Sequence, residues 1–207
     1  MRREVGWSID NEPDLTVCGE AESAQQAMDA IARLRPDLVL ADITLPDKNG
    51  FEFLKDVQAL HPGLRVLVVS LHDESLYAER ILRAGARGYI MKQESGKKLL
   101  EAIRHVLAGH IYVSEKMLTR ILAVCSGACD AAGSSSVEKL TDREFEIFQL
   151  IGQGKATREI AERLHLSVKT VEAHRLHIKE KLDLKTALEL ICFAVQRVQR
   201  VQMPARN

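Results

Sequence analysis

The pattern of apolar and polar positions divides the chain into two parts of different character. In the first part, short apolar runs typical of strands alternate with longer segments in which apolar residues recur at helical spacing. The predicted strands are residues 15–18, 38–41, 66–70 and 88–91, and the predicted helices are residues 23–34, 50–60, 74–83 and 95–107. Since strands that alternate with helices pair in parallel through right-handed crossovers, we predict a doubly wound α/β fold with a parallel sheet.

The second part has no strand pattern and is predicted to be a smaller, all-α domain of four helices. Thr141 and Glu144 have the spacing of a capping box that opens the first of these helices. The other three are predicted at residues 157–164, 167–182 and 186–201. Between the two parts, an amphipathic segment runs into the small, polar sequence SGACDAAGSSS. We therefore assign residues 1–113 to the α/β domain, residues 114–137 to a connecting helix and flexible linker, and residues 138–207 to the helical domain.

Composition places the chain among ordinary globular proteins, with 46% hydrophobic and 28% charged residues. No apolar run approaches the roughly 18 residues of a membrane span, and no apolar signal core follows the first residues. We expect a cytoplasmic protein with no membrane partner. Lys and Arg balance Asp and Glu at 29 each, but residues 138–207 carry 13 basic against 10 acidic residues. That local excess favours nucleic acid as the partner of the helical domain.

Two residue pairs have a spacing that metal sites also use, and for both we predict no metal. Cys125 and Cys129 have no further His or Cys ligand close downstream, and the four scattered cysteines are expected to be free thiols. His174 and His177 lie one helical turn apart but also lack further ligands in the sequence around them.

Three predicted strands end in residues that together could transfer a phosphoryl group. Asp42 follows the strand at residues 38–41, Ser70 ends the next, and Lys92 follows the strand at residues 88–91. In parallel α/β sheets, reactive groups gather at the carboxyl ends of the strands. There a carboxylate can act as the nucleophile, a hydroxyl can donate to a phosphoryl oxygen, and an ammonium group can neutralise developing charge.

These segments resemble the receiver domain of response regulators. The stretch DLVLADITLPDKNG at residues 37–50 is similar to the phosphoacceptor strand and loop, with Asp42 as the acceptor. By the same resemblance, Ser70 and Lys92 contact the phosphoryl group and Tyr89 is the aromatic switch residue. Gln93 departs from the proline common after the receiver lysine. A sensor histidine kinase is implied as the phosphate source.

The largest departure from the receiver pattern lies before Asp42. Receivers open with a strand ending in paired acidic residues that help bind Mg²⁺, and no such pair precedes Asp42 here. The resemblance then leaves Asp42 and the backbone carbonyl of Thr44 as Mg²⁺ ligands, with weakened binding. Residues 3–15 instead resemble the end of the first helix and the approach to the second strand. Three explanations stay open: a start codon placed too late, which we favour; a deleted strand with a degenerate receiver; or replacement of that strand by residues 5–9.

The predicted helix at residues 167–182 combines an inward stripe with a second, polar face. Val168, Val171, Ile178 and Leu182 share the stripe expected to face the domain core. The segments LTDRE, TREIAERL and SVKTVEAHR closely resemble a LuxR-type helix-turn-helix, which makes this the recognition helix. The candidates for phosphate contacts are Lys169, Thr170, Arg175 and Lys179, and the candidates for base contacts are Glu172, Ala173 and Leu176.

Together these features identify the chain as similar to NarL/FixJ-type response regulators. We expect a two-component DNA-binding transcription factor, not an enzyme, that is controlled by phosphorylation of Asp42. The expected partners are double-stranded DNA, a sensor histidine kinase, a second copy of the chain and RNA polymerase. One alternative is a phosphorylation-independent transcription factor that uses a degenerate receiver for dimerisation or partner binding. Another is a haloacid-dehalogenase-like phosphatase with Asp42 as nucleophile, but such enzymes need a second Asp where this chain has Thr44.

Overall fold

The computed structural model describes residues 2–125, 137 and 139–202. It divides into two compact units, Met1–Ile121 and Leu122–Asn207, which are described separately. The division falls within one helix, so the domain boundaries drawn from the sequence stay predictions. The predicted linker at residues 126–136 lies outside the described residues, as does Cys129. Cys18 and Cys192 carry free, exposed thiols.

The N-terminal unit contains a three-stranded parallel sheet in the order β1–β2–β3. The strands are β1 (Leu38–Ala41), β2 (Arg65–Ser70) and β3 (Gly88–Met91). The helices are α1 (Arg2–Asp10), α2 (Ala24–Leu34), α3 (Gly50–Leu60), α4 (Glu74–Arg83), α5 (Gly96–Leu107) and α6 (Glu115–Cys125). The alternation of strand and helix confirms the predicted α/β fold with a parallel sheet.

The central strand β2 lies in the core of the N-terminal unit. Val66, Leu67 and Val68 are at most 1% exposed, as expected for a parallel strand covered on both faces. Leu67 belongs to a cluster with Ile103 and Val106 of α5, whereas alternation turns its neighbours toward the other face. The buried strand β2 therefore lies between β1 and β3, and the carboxyl ends of all three strands lie at the same edge of the parallel sheet.

The predicted strand at residues 15–18 is wrong, and so is one of the three explanations left open for the first receiver strand, its replacement by residues 5–9. Residues 15–18 do not form a strand, although Leu15 and Val17 pack against the core cluster. A strand needs a neighbour to complete its hydrogen bonds, and in the described part of the chain no strand pairs with this segment. Residues 5–9 are helical rather than a replacement strand. Ile9 is buried on the α5 cluster while Trp7 is 72% exposed, so the alternating apolar residues do not share one face. Helix α1 confirms that the first part of residues 3–15 is helical, as the resemblance to the end of the first receiver helix predicts.

The C-terminal unit consists of α7 (Asp142–Gly152), α8 (Thr157–Arg163), α9 (Val168–Lys181) and α10 (Ala187–Gln202). The predicted capping box opens α7: the Glu144 backbone N–H donates to Thr141 Oγ1, and the Thr141 N–H donates to Glu144 Oε2 at 2.7 Å. Helix α7 is buried along most of its length. At its end, a Cβ on Gly152 would come within 2.7 Å of the Ala194 carbonyl oxygen, so glycine permits the close approach of α10.

Candidate functional sites

The carboxyl ends of β1 and β3 bring an acid and a base into direct contact. Asp42 directly follows β1, Lys92 directly follows β3, and the Lys92 ammonium group donates to Asp42 Oδ2. The Thr44 backbone N–H donates to the other carboxylate oxygen at 3.0 Å. The side chains of Asp42 and Lys92 keep 32% and 17% of their surface exposed. The carboxylate is therefore fixed at both oxygens and still accessible from solvent.

Ser70 and Tyr89 both bond to the backbone of His72. Ser70 is fully buried at the end of β2, and its Oγ accepts a hydrogen bond from the His72 N–H at 3.1 Å. The Tyr89 hydroxyl donates to the His72 carbonyl oxygen at 2.6 Å. Burial raises the pKa of Tyr89 well above its ordinary value, so the phenol stays protonated and acts as a donor at neutral pH. The predicted switch residue is thus connected to the predicted phosphoryl-contact residue through the backbone of one residue, His72.

His72 is a residue of this site that the sequence reasoning missed. Its ring stacks on Tyr77 of α4 at a centroid distance of 4.7 Å, and its Nε2 lies 3.3 Å from Thr44 Oγ1. It therefore connects the loop after β2 with the loop that carries Asp42. Its position two residues after Ser70 was the only signal in the sequence.

The loop from residue 42 to residue 50 is held by side-chain bonds to two helix starts. Asp47 accepts from the backbone N–H groups of Ala24 and Gln25 at 2.8 and 3.1 Å. The bond from Ala24 is the largest cause that keeps the pKa of Asp47 below its ordinary value. Asn49 caps α3 by accepting from the Phe51 N–H at 2.8 Å. These contacts place the loop against α2 and α3 and thereby fix the approach to Asp42.

Helices α8 and α9 form a helix-turn-helix within the C-terminal unit. Ser167 caps α9 by accepting from the Thr170 N–H at 3.0 Å. Val171 and Ile178 are fully buried and Leu182 is 9% exposed, so these three confirm the predicted inward stripe. Val168 does not belong to it, because it is 40% exposed in the first turn, ahead of the point where α9 packs inward.

The candidates for DNA contact on α9 differ in their exposure. Five are exposed: Lys169, Thr170, Glu172, Ala173 and Leu176. Two are half-buried, Arg175 and Lys179. The Arg175 guanidinium lies 3.4 Å from Thr157 Oγ1 of α8, which orients it. Helix α9 therefore offers a mixed face of basic, acidic and apolar side chains rather than a purely cationic one.

Comparison with known proteins decides the family. Residues 1–104 match the response regulator receiver domain, and residues 138–194 match the bacterial regulatory proteins of the luxR family. The chain is 35% identical over 201 residues to the oxygen regulatory protein NreC of Staphylococcus aureus strain MRSA252, covering 95% of this chain and 93% of NreC. The chain is a LuxR-type response regulator. The predicted family and its function as a two-component, DNA-binding regulator are confirmed.

Solved structures of response regulators share this fold. The regulator RcsB of Salmonella enterica serovar Typhimurium, bound to promoter rprA in the presence of phosphomimetic BeF₃⁻, aligns with a TM-score of 0.62 at 20% identity, over 93% of this chain and 92% of RcsB. A LuxR-family response regulator from Aurantimonas sp. SI85-9A1 aligns with a TM-score of 0.56 at 29% identity, over 60% of this chain and 89% of that protein. In the described residues of the present regulator, no helix combines the length and apolarity needed to cross a membrane.

The receiver of this regulator offers Mg²⁺ a small set of oxygen ligands. Receiver domains in general use Mg²⁺ for phosphorylation. Here Asp42 provides a carboxylate, but one oxygen is shared with Lys92 and the other with the Thr44 N–H. In the described part of the chain, the one group of three His, Cys, Asp or Glu side chains close enough together to share a metal ion lies in the DNA-binding domain. Mg²⁺ commonly binds through one or two carboxylates, substrate phosphates and water, so these residues fit the ion only when a phosphodonor supplies further oxygens.

Proposed function

We propose that a sensor histidine kinase phosphorylates Asp42 and that this modification controls the binding of α9 to double-stranded DNA. The observation that carries the proposal is the ion pair between Asp42 and Lys92 at the carboxyl ends of β1 and β3. A carboxylate held beside an ammonium group is ready for phosphoryl transfer, in which most of the catalysis comes from positioning and charge stabilisation.

The chemistry follows from the three strand-end residues. A carboxylate oxygen of Asp42 attacks the phosphorus of the phosphohistidine, a P–O bond forms, and the P–N bond to the kinase breaks. Lys92 neutralises charge on the phosphoryl group, and the Ser70 hydroxyl donates to one of its oxygens after leaving the His72 N–H. Asp42, the Thr44 carbonyl and water would hold Mg²⁺, which would supply further charge neutralisation. The receiver thus stores a phosphoryl group and is assigned no role as an enzyme that turns over other substrates.

The response to phosphorylation is assigned to the face formed by α4 and α5, which biases dimerisation or release of the DNA-binding domain. We expect the protein to be cytoplasmic. On DNA we expect a dimer, because two recognition helices read two half-sites. Helix α10 exposes Leu188 and Ile191 at 69% and 39%, which suits it for contact with a second copy. RNA polymerase is a further proposed partner. The proposed phosphate contacts of α9 are Lys169, Thr170, Arg175 and Lys179, and its proposed base contacts are Glu172, Ala173 and Leu176.

A second function is favoured by the small ligand set around Asp42. With Asp42 as the one carboxylate that the sequence pattern assigns to Mg²⁺, the receiver suits a regulator that works without phosphorylation and uses this domain for dimerisation or partner binding. The two functions predict different behaviour when Asp42 is replaced.

The deciding experiment uses the full-length chain and a small acyl phosphate with Mg²⁺. Phosphorylation is followed by intact mass, and binding by fluorescence anisotropy on a duplex selected from a random pool. We expect the wild type to gain one phosphoryl group and to change its affinity for the duplex, and Asp42→Asn to do neither. Asp29→Asn removes an exposed carboxylate of α2 and should behave like the wild type. An Asp42→Asn protein that regulates transcription normally in cells would contradict phosphorylation control and support the second function.

A further inference from the structure

Three metal-ligating side chains of the DNA-binding domain converge at one point. One nitrogen each of His174 and His177 and a carboxylate oxygen of Glu144 lie within 4.8 Å of one another. The two histidines stand one turn apart on α9, and Glu144 belongs to the first turn of α7. The packing of α9 on α7 therefore supplies the third ligand that the sequence around the histidines lacks. We propose that Glu144, His174 and His177 bind a divalent transition metal ion, Zn²⁺ in the first place, with water completing the coordination.

The carboxylate of this cluster still has room for an ion. Glu144 is 4% exposed, and burial alone would raise its pKa. Hydrogen bonds from Lys181 and Thr141 nevertheless hold the pKa of Glu144 below its ordinary value. A carboxylate has about four lone-pair sites, so these two partners leave capacity for a metal ion.

His174 gives the second, independent observation. Its Nδ1 atom is buried and has no hydrogen-bond partner among the described residues. Buried polar atoms are nearly always paired, with protein, water or an ion, so this nitrogen calls for a ligand. Burial also lowers the pKa of His174, against the opposing effect of the Glu144 carboxylate. That direction favours the neutral imidazole, the form that binds metals.

The geometry favours an ion that accepts nitrogen ligands and is open to solvent. Imidazole with carboxylate suits zinc and its neighbours, whereas Mg²⁺ prefers oxygen alone. Ligand atoms around a tetrahedral Zn²⁺ are about 3.4 Å apart, from bond lengths of about 2.0–2.1 Å, so the side chains must rotate inward slightly. His177 is exposed, which gives the ion a path from solvent. Arg143 and Lys181 bring positive charge close to His174, so binding should be weaker than at closed, four-ligand zinc sites.

A bound ion would connect the first turn of α7 to the middle of α9. Since unfolding would separate the three ligands, the ion would stabilise the folded domain by mass action. It would act on the helix assigned to DNA recognition without using any of the side chains proposed to contact DNA. Metal binding at this site therefore does not depend on whether phosphorylation controls the regulator.

The test is a Zn²⁺ titration of the metal-free, full-length protein against a chromophoric chelator. His177→Gln keeps the size and polarity of an exposed side chain but removes one ligand. His165→Gln is the matched control, because His165 is exposed and lies in the turn before α9. All three proteins retain the four cysteines, so zinc bound by thiols appears equally in each. Far-UV circular dichroism verifies that the variants are folded.

We expect His177→Gln to bind one equivalent of Zn²⁺ fewer than the wild type, and His165→Gln to bind the same number. The thermal midpoint of the wild type should rise on addition of Zn²⁺, and most of that rise should be absent in His177→Gln. Equal numbers of bound Zn²⁺ in the wild type and His177→Gln would overturn the inference, whatever the thermal midpoints show.

Discussion

Replacing Lys179 with alanine tests whether the basic residues of α9 position the protein on phosphates. Each phosphate neutralised by a Lys or Arg steepens the dependence of log affinity on log salt by about 0.9 for duplex DNA. Lys169, Arg175 and Lys179 are the cations assigned to phosphates in each subunit. A dimer that uses all of them would have a slope of about −5.4, and Lys179→Ala would reduce it to about −3.6, or by about 0.9 for each subunit.

The expected change in the salt dependence of DNA affinity is large enough to measure. Between 50 and 200 mM salt, each phosphate contact accounts for about 3.5-fold in affinity, so the two copies of Lys179 in a dimer account for about 12-fold. Lys179 is half-buried in the last turns of α9, which restricts its side chain and suits it for one fixed contact. A phosphate contact carries no sequence information, so the loss should be similar on a selected duplex and on a scrambled one.

The assay is fluorescence anisotropy of labelled duplexes at 50, 100 and 200 mM KCl with full-length protein. Lys55→Ala is the matched control, since it removes the same charge from an exposed position on α3 of the receiver. It should leave the slope unchanged. If Lys179→Ala altered the preferred base sequence and kept the wild-type slope, Lys179 would be a base contact and the assignment would be refuted.

Two further predictions concern stability, followed by urea unfolding of the full chain. Gly50→Ala would place a Cβ 2.4 Å from a backbone carbonyl oxygen of the acceptor loop. It should destabilise the receiver by about 1–3 kcal/mol, as reported by hydrogen–deuterium exchange of receiver peptides across the urea series. Gly96→Ala, at the open first position of α5, should not destabilise it, and equal effects would contradict the clash. Glu144→Gln should destabilise the DNA-binding domain by about 1–3 kcal/mol at pH 7, measured by circular dichroism, with the hydrogen–deuterium exchange of receiver peptides unchanged. The pKa of Glu144 is lowered in the folded protein. The extra stability of the wild type over Glu144→Gln should therefore be present at pH values above the ordinary carboxyl pKa and be lost as the pH falls through the folded pKa. A stability difference that persists in acid would show that charge is not the cause.

Much of the fold could be predicted because it depends on local patterns. The continuous apolar run in β2 identifies a central strand without reference to its neighbours, and Thr141 with Glu144 marks the start of α7 from two residues alone. The positions of the strand-end residues could be predicted for the same reason. Asp42 and Lys92 each follow a strand directly, and the parallel sheet brings them to one edge.

The failures come from features that depend on tertiary partners. Residues 15–18 have the composition of a strand, yet strand formation requires a second strand to bond with. Val168 continues an apolar spacing that the first turn of α9 does not bury. Glu144 and His174 are 30 positions apart, and only the packing of α7 against α9 places them together. In each case the missing information is the identity of a neighbour in space, which spacing along the chain does not contain.

The bonds to His72 indicate how a local charge change at Asp42 can reach the rest of the receiver. Its N–H donates to Ser70 Oγ, and its carbonyl oxygen accepts from the Tyr89 hydroxyl. If Ser70 turned toward a phosphoryl group, the His72 N–H would lose its acceptor, and a polar group left unpaired there would cost about 1–3 kcal/mol. The backbone at His72 then has reason to move, and Tyr89 and the stacked ring of Tyr77 would have to follow it. Lys92 already contacts Asp42 without a phosphoryl group, so a rearrangement of this kind would depend on the serine hydroxyl more than on the lysine.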